Sequence, residues 1–436
     1  GTVGCAKVAM RNKWTNYKRS TAFQEGRREV MNKHEWTRWS VVLAGFVLAF
    51  VAGVAYAWGP MVLPLVERFG WSTAEAAMPF TIFFLVFALF MVPAGRLQDT
   101  IGPQKTCLLG AVLIFLGFGL AAMVSRLPYP WWLFLTYGFT GGMGAGTIYA
   151  CVAPPVRKWF PDIPAFAISC AVMGVGLAGT VVAPIKANSM IPALGIEGTL
   201  LIIAVISFAM CLMAAWLLRN PAEGWRPAGW VAKATTSQTG AKKHYTPSEL
   251  LRSPVFWIMW LAFGSVIAGG MLCAALIPPF GRLVMGLTPV EAASAVAVFS
   301  GFNGFGRPVA GYLSDKFGVV RVMVASFLLQ AVTLVLFHLI AVNLVTLYLA
   351  AALVGWGLAV VLATFPALTA TVFGTKHLGV NYGLVFTGLA FGAFMPAVGA
   401  AVYDATGSFT PAFLGAGALA LFGALLCSTL TWKYKM

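Results

Sequence analysis

Apolar residues along this chain come in runs of about twenty or more, separated by short polar stretches, the length a helix needs to cross the ~30 Å hydrocarbon core of a bilayer. The runs lack period-two alternation, which argues against a transmembrane barrel. They predict twelve helical spans at about 39–66, 74–98, 105–125, 131–156, 163–188, 195–219, 253–281, 289–314, 319–341, 343–372, 380–404 and 410–431. One long polar stretch, Asn220 to Arg252, separates spans six and seven and reads as a linker rich in Thr, Ser, Gly, Lys and Pro. The expected organisation is an all-α membrane protein: segment 1–38, a six-helix bundle 39–219, linker 220–252, a second six-helix bundle 253–431 and tail 432–436.

A repeat supports the two-bundle reading. Gly70-Trp71-Ser72-Thr73-Ala74-Glu75-Ala76-Ala77 is echoed 216 residues later by Gly286-Leu287-Thr288-Pro289-Val290-Glu291-Ala292-Ala293. Pro93-Ala94-Gly95-Arg96-Leu97-Gln98-Asp99 with Gly102 recurs in the same register as Val309-Ala310-Gly311-Tyr312-Leu313-Ser314-Asp315 with Gly318.

Composition agrees. Of the 436 residues, 60% are hydrophobic and 10% charged, against about 25% charged in soluble proteins. With the N-terminus inside, 24 of the 29 Lys and Arg fall on the inner side, and only Arg68, Arg126, Lys186 and Arg282 fall outside. The positive-inside rule therefore predicts cytoplasmic termini and linker in a multi-pass protein of a bacterial inner membrane. The net charge of +16 then reflects topology, and there is no basic soluble domain to bind nucleic acid. Cys5, Cys107, Cys151, Cys170, Cys211, Cys273 and Cys427 are scattered without CxxC spacing and read as free thiols. The first 30 residues lack the apolar core of a secretory signal, and Met31 would make a natural start.

The count leaves one basic residue over. Arg307 lies inside span eight, roughly 10–12 Å from its inner end at ~1.5 Å per residue, and a charge at such depth points to a functional site. Asn303 is one turn away on the same face. No acidic residue is expected at this depth, so a buried guanidinium there calls for another anion, and its planar fork suits a carboxylate. The alternative is that Arg307 snorkels to headgroups or bonds backbone carbonyls at a break before Pro308. In span four, Thr147 and Tyr149 reach a similar depth, either as ligand contacts or as ordinary interhelical hydrogen bonds. In span one, Tyr56 and Trp58 sit above a proline kink, as a substrate wall or as interface anchors.

Other signals carry less. Gly174-Val175-Gly176-Leu177-Ala178-Gly179 matches a dinucleotide fingerprint but lies in an apolar span with no preceding strand, so it reads as helix packing. His34, His244, His338 and His377 are dispersed, and His338 reads as packed or interfacial. Lys186, near the outer end of span five, is expected to snorkel. No nucleotide-binding loop, nucleophile elbow or metalloprotease motif occurs, so neither an enzyme nor a cofactor is expected.

At this point the chain resembles the major facilitator superfamily. Twelve spans in two halves, a central linker and the Gly95–Lys105 signature repeated at Gly311–Arg321 carry the resemblance. It implies a latch at the inner face formed by Gly95, Arg96, Asp99 and Asp315. Tyr56-Ala57-Trp58-Gly59, Lys158-Trp159-Phe160-Pro161-Asp162, Asn303-x-x-x-Arg307-Pro308 and Phe365-Pro366-Ala367-Leu368-Thr369 are similar to the oxalate/formate antiporter and monocarboxylate transporter branch. The resemblance implies that Arg307 binds a substrate carboxylate, with Tyr149 and Tyr56 matching further binding tyrosines. Oxalate carriers add a lysine in helix eleven after Tyr-Gly-x-x-Tyr-Thr-x; here Tyr382-Gly383-Leu384-Val385-Phe386-Thr387-Gly388 is followed by Leu389.

One cation at that depth suits one carboxylate. The sequence therefore predicts a secondary transporter of a small monocarboxylate such as lactate, pyruvate or formate, coupled to a proton that can arrive with the substrate. Arg307, Asn303, Tyr149 and Thr147 would supply the polar contacts, and Tyr56, Trp58, Phe386 and Leu389 the wall. The expected partners are the anion, a proton or counter-anion and the lipid bilayer, with a monomer as the working unit. The rival is an oxalate or other dicarboxylate exchanger. Drug efflux gives no reason for a lone Arg307, and a non-transporting receptor would be expected to carry a larger soluble domain.

Overall fold

The computed structural model describes residues 37–222, 225–227 and 244–434, so most of segment 1–38 and much of the linker lie outside the described residues. All twelve expected spans coincide with helix. In chain order they are α1 (Thr37–Phe69), α2 (Thr73–Ile101), α3 (Pro103–Ala121), α4 (130–159), α5 (Pro164–Ile185) and α6 (Ile191–Leu217). The second set comprises α7 (Pro254–Leu283), α8 (Pro289–Phe317), α9 (Val319–Val335), α10 (Leu344–Phe373), α11 (Leu378–Thr406) and α12 (Thr410–Tyr434). Eight helices among the described residues are long and apolar enough to cross a membrane, one of them the continuous stretch Pro164–Leu217 that joins α5 and α6.

Several helices depart from regular α geometry, α1 beside a proline. α1 tightens to a 3₁₀ turn at Val54–Trp58 and Ala57 leaves helical geometry at φ −89°, ψ 28°. Pro60 follows at once and has no N–H to continue the ladder. α4 widens to π geometry at Phe134–Thr140, and the α5–α6 stretch does so at Lys186–Met190 before turning at Gly195, φ 68°. α11 is interrupted between Phe386 and Leu389.

The duplication is written in the backbone. Ser72 and Glu75 form a capping box that starts α2, and Thr288 and Glu291 form its counterpart on α8. Each box satisfies helix N–H groups that have no intrahelical partner. Gly70 and Gly286 share φ values of 68° and 67°, and Gly102 and Gly318 share 88° and 94°. Packing repeats too: α2 on α4 and α3 on α6 recur as α8 on α10 and α9 on α12, while across the halves α2 meets α11 and α8 meets α5. Within the expected polar linker a capped helix, Pro247–Leu251, sits by α11, and Asn381 Nδ2 donates to the Tyr245 carbonyl at 3.0 Å. The six described cysteines are free, as expected.

Candidate functional site

Arg307 is fully buried on α8. Its Nε donates to the Asn303 carbonyl at 3.1 Å, Nη2 to Asn303 Oδ1 at 3.1 Å, and Nη1 to the Val172 carbonyl of α5 at 2.5 Å. The approach of α5 depends on two glycines. A Cβ on Gly176 would lie 2.6 Å from the Gly304 Cα, so only bare backbone lets the helices meet. A guanidinium has five N–H donors; these three bonds leave two for other acceptors, and the Tyr149 hydroxyl is the phenol nearest to them. Among the described residues no carboxylate pairs with it. The alternative of backbone bonding is thus realised in part, but α8 runs through Pro308 as one element and no break is needed.

Phenols and aromatic rings surround this cation. The Tyr149, Tyr56 and Tyr382 side chains lie within electrostatic reach of Arg307, and the Tyr149 hydroxyl is within hydrogen-bonding reach of both Arg307 and Tyr382. The buried Tyr382 hydroxyl nonetheless finds no partner of good geometry. Phe386 of α11 lies 5.3 Å from Tyr149, 5.2 Å from Phe87 and 5.8 Å from Phe263, centroid to centroid. Tyr56 packs on Phe84 at 4.7 Å. The wall is therefore drawn from α1, α2, α4, α7 and α11. Tyr382 and Phe87 were not selected from the sequence, although Tyr382 stands four residues before Phe386 and so shares its face.

Two predicted residues are not brought into this cluster. Trp58 turns into the first half: its Nε1 donates to the Ala76 carbonyl at 2.9 Å and its ring lies tilted against Tyr137, centroids 4.2 Å apart. Thr147 donates to the Met143 carbonyl of its own helix at 2.7 Å and faces Gly110 of α3. Each lies two residues from a clustered tyrosine, about 200° of rotation at ~3.6 residues per turn, and on nearly all-apolar helices no polar stripe marks that difference in the sequence. Leu389 is buried at the start of the second piece of α11 and adds no charge.

Lys186 corrects a further expectation. It does not snorkel; it is fully buried, and its Nζ donates to the Ala57 carbonyl at 3.1 Å. It does lie at the end of α5, where the stretch widens to π geometry before the turn at Gly195, but its side chain is turned inward. It lies 14 residues beyond Val172, roughly 21 Å along a helix of ~1.5 Å rise. That separation is too long for Lys186 and Arg307 to hold the two ends of a C2 dicarboxylate.

At the far end of the bundle the two repeats make matching contacts. Asp99 accepts from the N–H groups of Gly379 and Val380, both at 3.1 Å, at the start of α11. Asp315 accepts from Ala165 at 3.2 Å and Phe166 at 2.8 Å at the start of α5. Helix N-termini offer free N–H groups and a positive dipole end to such carboxylates. Gly95 abuts the Gly379 backbone, which admits no Cβ. Among the described residues Arg96 forms no ion pair with Asp99; it is exposed on a cavity of about 880 Å³ shared with Lys376 and His377. Lys158-Trp159-Phe160-Pro161-Asp162 clamps the start of α1 through an Arg38–Asp162 ion pair at 2.6 Å.

Comparison with known proteins is consistent with this arrangement. The chain matches the Major Facilitator Superfamily profile over residues 41–308 and 285–435. It is 29% identical over 378 residues to the oxalate:formate antiporter of Oxalobacter formigenes, covering 84% of this chain and 85% of that protein. It is 27% identical to the uncharacterized MFS-type transporter YhjX of Escherichia coli, covering 83% and 87%. A probable nitrate/nitrite transporter of Mycobacterium tuberculosis, NarK2, is 27% identical over 65% of this chain and 69% of its own length. In fold the chain is similar to the Escherichia coli fucose:proton symporter FucP, with TM-score 0.66 at 18% identity, covering 89% of this chain and 97% of that one.

Proposed function

The chain belongs to the Major Facilitator Superfamily and is a transporter rather than an enzyme, and on that premise we propose that it carries a small monocarboxylate across a bacterial inner membrane by alternating access. The observation that carries this reading is the Arg307 guanidinium, fully buried, without a carboxylate partner among the described residues and with two donors left over by its bonds to Asn303 and Val172, only the neutral Tyr149 phenol standing in reach of them. A carboxylate accepting both would complete the hydrogen bonding of a cation that is costly to bury alone. Tyr149 and Tyr382 would bond the remaining carboxylate lone pairs, and Phe386, Phe87 and Tyr56 would enclose a short apolar tail. A doubly charged substrate would leave its second carboxylate among these rings, because Leu389 supplies no cation and Lys186 is out of range.

The substrate enters as an anion with a proton, or exchanges with another anion, so that transport does not accumulate charge. Exchange has its own support, since one relative is named as an oxalate:formate antiporter and formate is itself a monocarboxylate. Counterflow in proteoliposomes separates the readings. Lactate or formate should exchange saturably and oxalate should not; saturable oxalate exchange with no response to monocarboxylates overturns the proposal.

A further inference from the structure

We propose that Lys186 is a positioning residue for the substrate site, holding the Ala57 carbonyl so that the break in α1 keeps Tyr56 beside Arg307. The inference rests on the reading of Arg307 as the anion site, and its first test does not.

The chemistry starts from Pro60. In helical geometry the Tyr56 carbonyl accepts from residue 60, and in a 3₁₀ turn the Ala57 carbonyl accepts from the same residue. Pro60 has no N–H to give, so the 3₁₀ segment Val54–Trp58 leaves the Ala57 oxygen without its local donor. In a bilayer such a group must be satisfied from within the protein. Lys186 does this from the π segment that follows α5, at 3.1 Å.

The same break is held from its other side. Trp58 Nε1 reaches the Ala76 carbonyl of α2 at 2.9 Å. Tyr56 immediately precedes these two anchors. Gly179, two turns before Lys186 on the same face of α5, lies against it: a Cβ there would come within 3.0 Å of the Tyr56 Cβ. With the backbone fixed at 57 and 58 and α5 seated against its Cβ, Tyr56 keeps its phenol within reach of Arg307 and Tyr149.

Lys186 itself is placed for this task. It is fully buried and, among the described residues, has no ion-pair partner; the Ala57 carbonyl is its hydrogen-bond acceptor. It opens the π segment Lys186–Met190, the kind of local widening that aims a side chain.

Hydrogen exchange on purified protein tests the pin without any substrate. Lys186→Met should speed exchange of the amides at 54–61 while the α8 and α11 amides keep wild-type rates, and Lys186→Arg, which retains a donor, should restore protection. Unchanged exchange at 54–61 in Lys186→Met overturns the proposal. Transport then tests the route through Tyr56. Lys186→Met should raise KM about five- to ten-fold with the maximal rate largely kept, the size of one lost hydrogen bond. In combination with Tyr56→Phe the two effects should be strongly non-additive; additive effects would mean that Lys186 does not act through Tyr56. A wild-type protein that moves no monocarboxylate refutes the proposed function, while the exchange result still decides the pin.

Discussion

Arg307 of α8 donates to the Val172 carbonyl of α5 at 2.5 Å, so the cation proposed to hold the substrate also ties one half of the molecule to the other. A ligand that draws the guanidinium toward Tyr149 competes with that bond. Binding and the relation between the halves are thereby linked at one side chain, as a differential contact between states requires.

The helix contact beneath this bond should be intolerant of side chains on one side only. On Gly176 a methyl group would meet Gly304 backbone at 2.6 Å, which cannot yield, whereas on Gly304 its nearest contact would be Leu177 Cδ2 at 2.6 Å, which can rotate, with the Leu177 backbone farther off at 3.3 Å. Gly176→Ala should cost about 1–3 kcal/mol, the usual range for overpacking, and abolish transport; Gly304→Ala should be milder in both. Thermal unfolding of the two purified variants checks the order.

Removing the latch carboxylates should open the end at which they sit. Asp99→Asn weakens two charge-assisted hydrogen bonds to Gly379 and Val380, worth about 1.5–3 kcal/mol each. The distance between spin labels at positions 105 and 376 should lengthen. Asp315→Asn, its partner by repeat, should act in the same direction through α5. Unchanged distances in both variants would contradict a latch.

Tyr382 and Thr147 make a contrasting pair. The Tyr382 hydroxyl is buried with the Tyr149 hydroxyl in reach but no bond of good geometry, so Tyr382→Phe should leave stability nearly unchanged. Substrate affinity should fall about ten-fold, the cost of one hydrogen bond to a charged group. Thr147 bonds its own helix and faces Gly110; Thr147→Val should leave affinity as it was. Titration of each variant by substrate-dependent thermal stabilisation reads both quantities.

What could be read from the sequence follows the physics of each signal. Span positions were legible because twenty apolar residues in a row have few other uses, and Arg307 because a charge in such a run stands out. The repeat was legible because capping boxes and positive-φ glycines demand particular residues, as Ser72 with Glu75 and Gly70 illustrate. Rotational phase was not. Trp58 and Thr147 lie on helices with apolar neighbours on every side, so depth alone could not say which way they point. Lys186 was misread because depth in a span does not say whether a cation reaches out to headgroups or, as here, turns inward to a backbone carbonyl freed at a break in another helix. Tyr382 was visible only as part of a motif, its neighbours Tyr149 and Arg307 being brought to it by the fold.

The most direct test of the account is uptake of a labelled monocarboxylate into proteoliposomes by Arg307→Lys, with folding verified by thermal unfolding. An ammonium is compact and cannot reach Asn303, Val172 and a carboxylate in one plane as the guanidinium does. The account predicts at least about a hundred-fold loss of transport, roughly 3 kcal/mol, in the range for disrupting a buried, hydrogen-bonded charge pair. Wild-type transport by Arg307→Lys would contradict it.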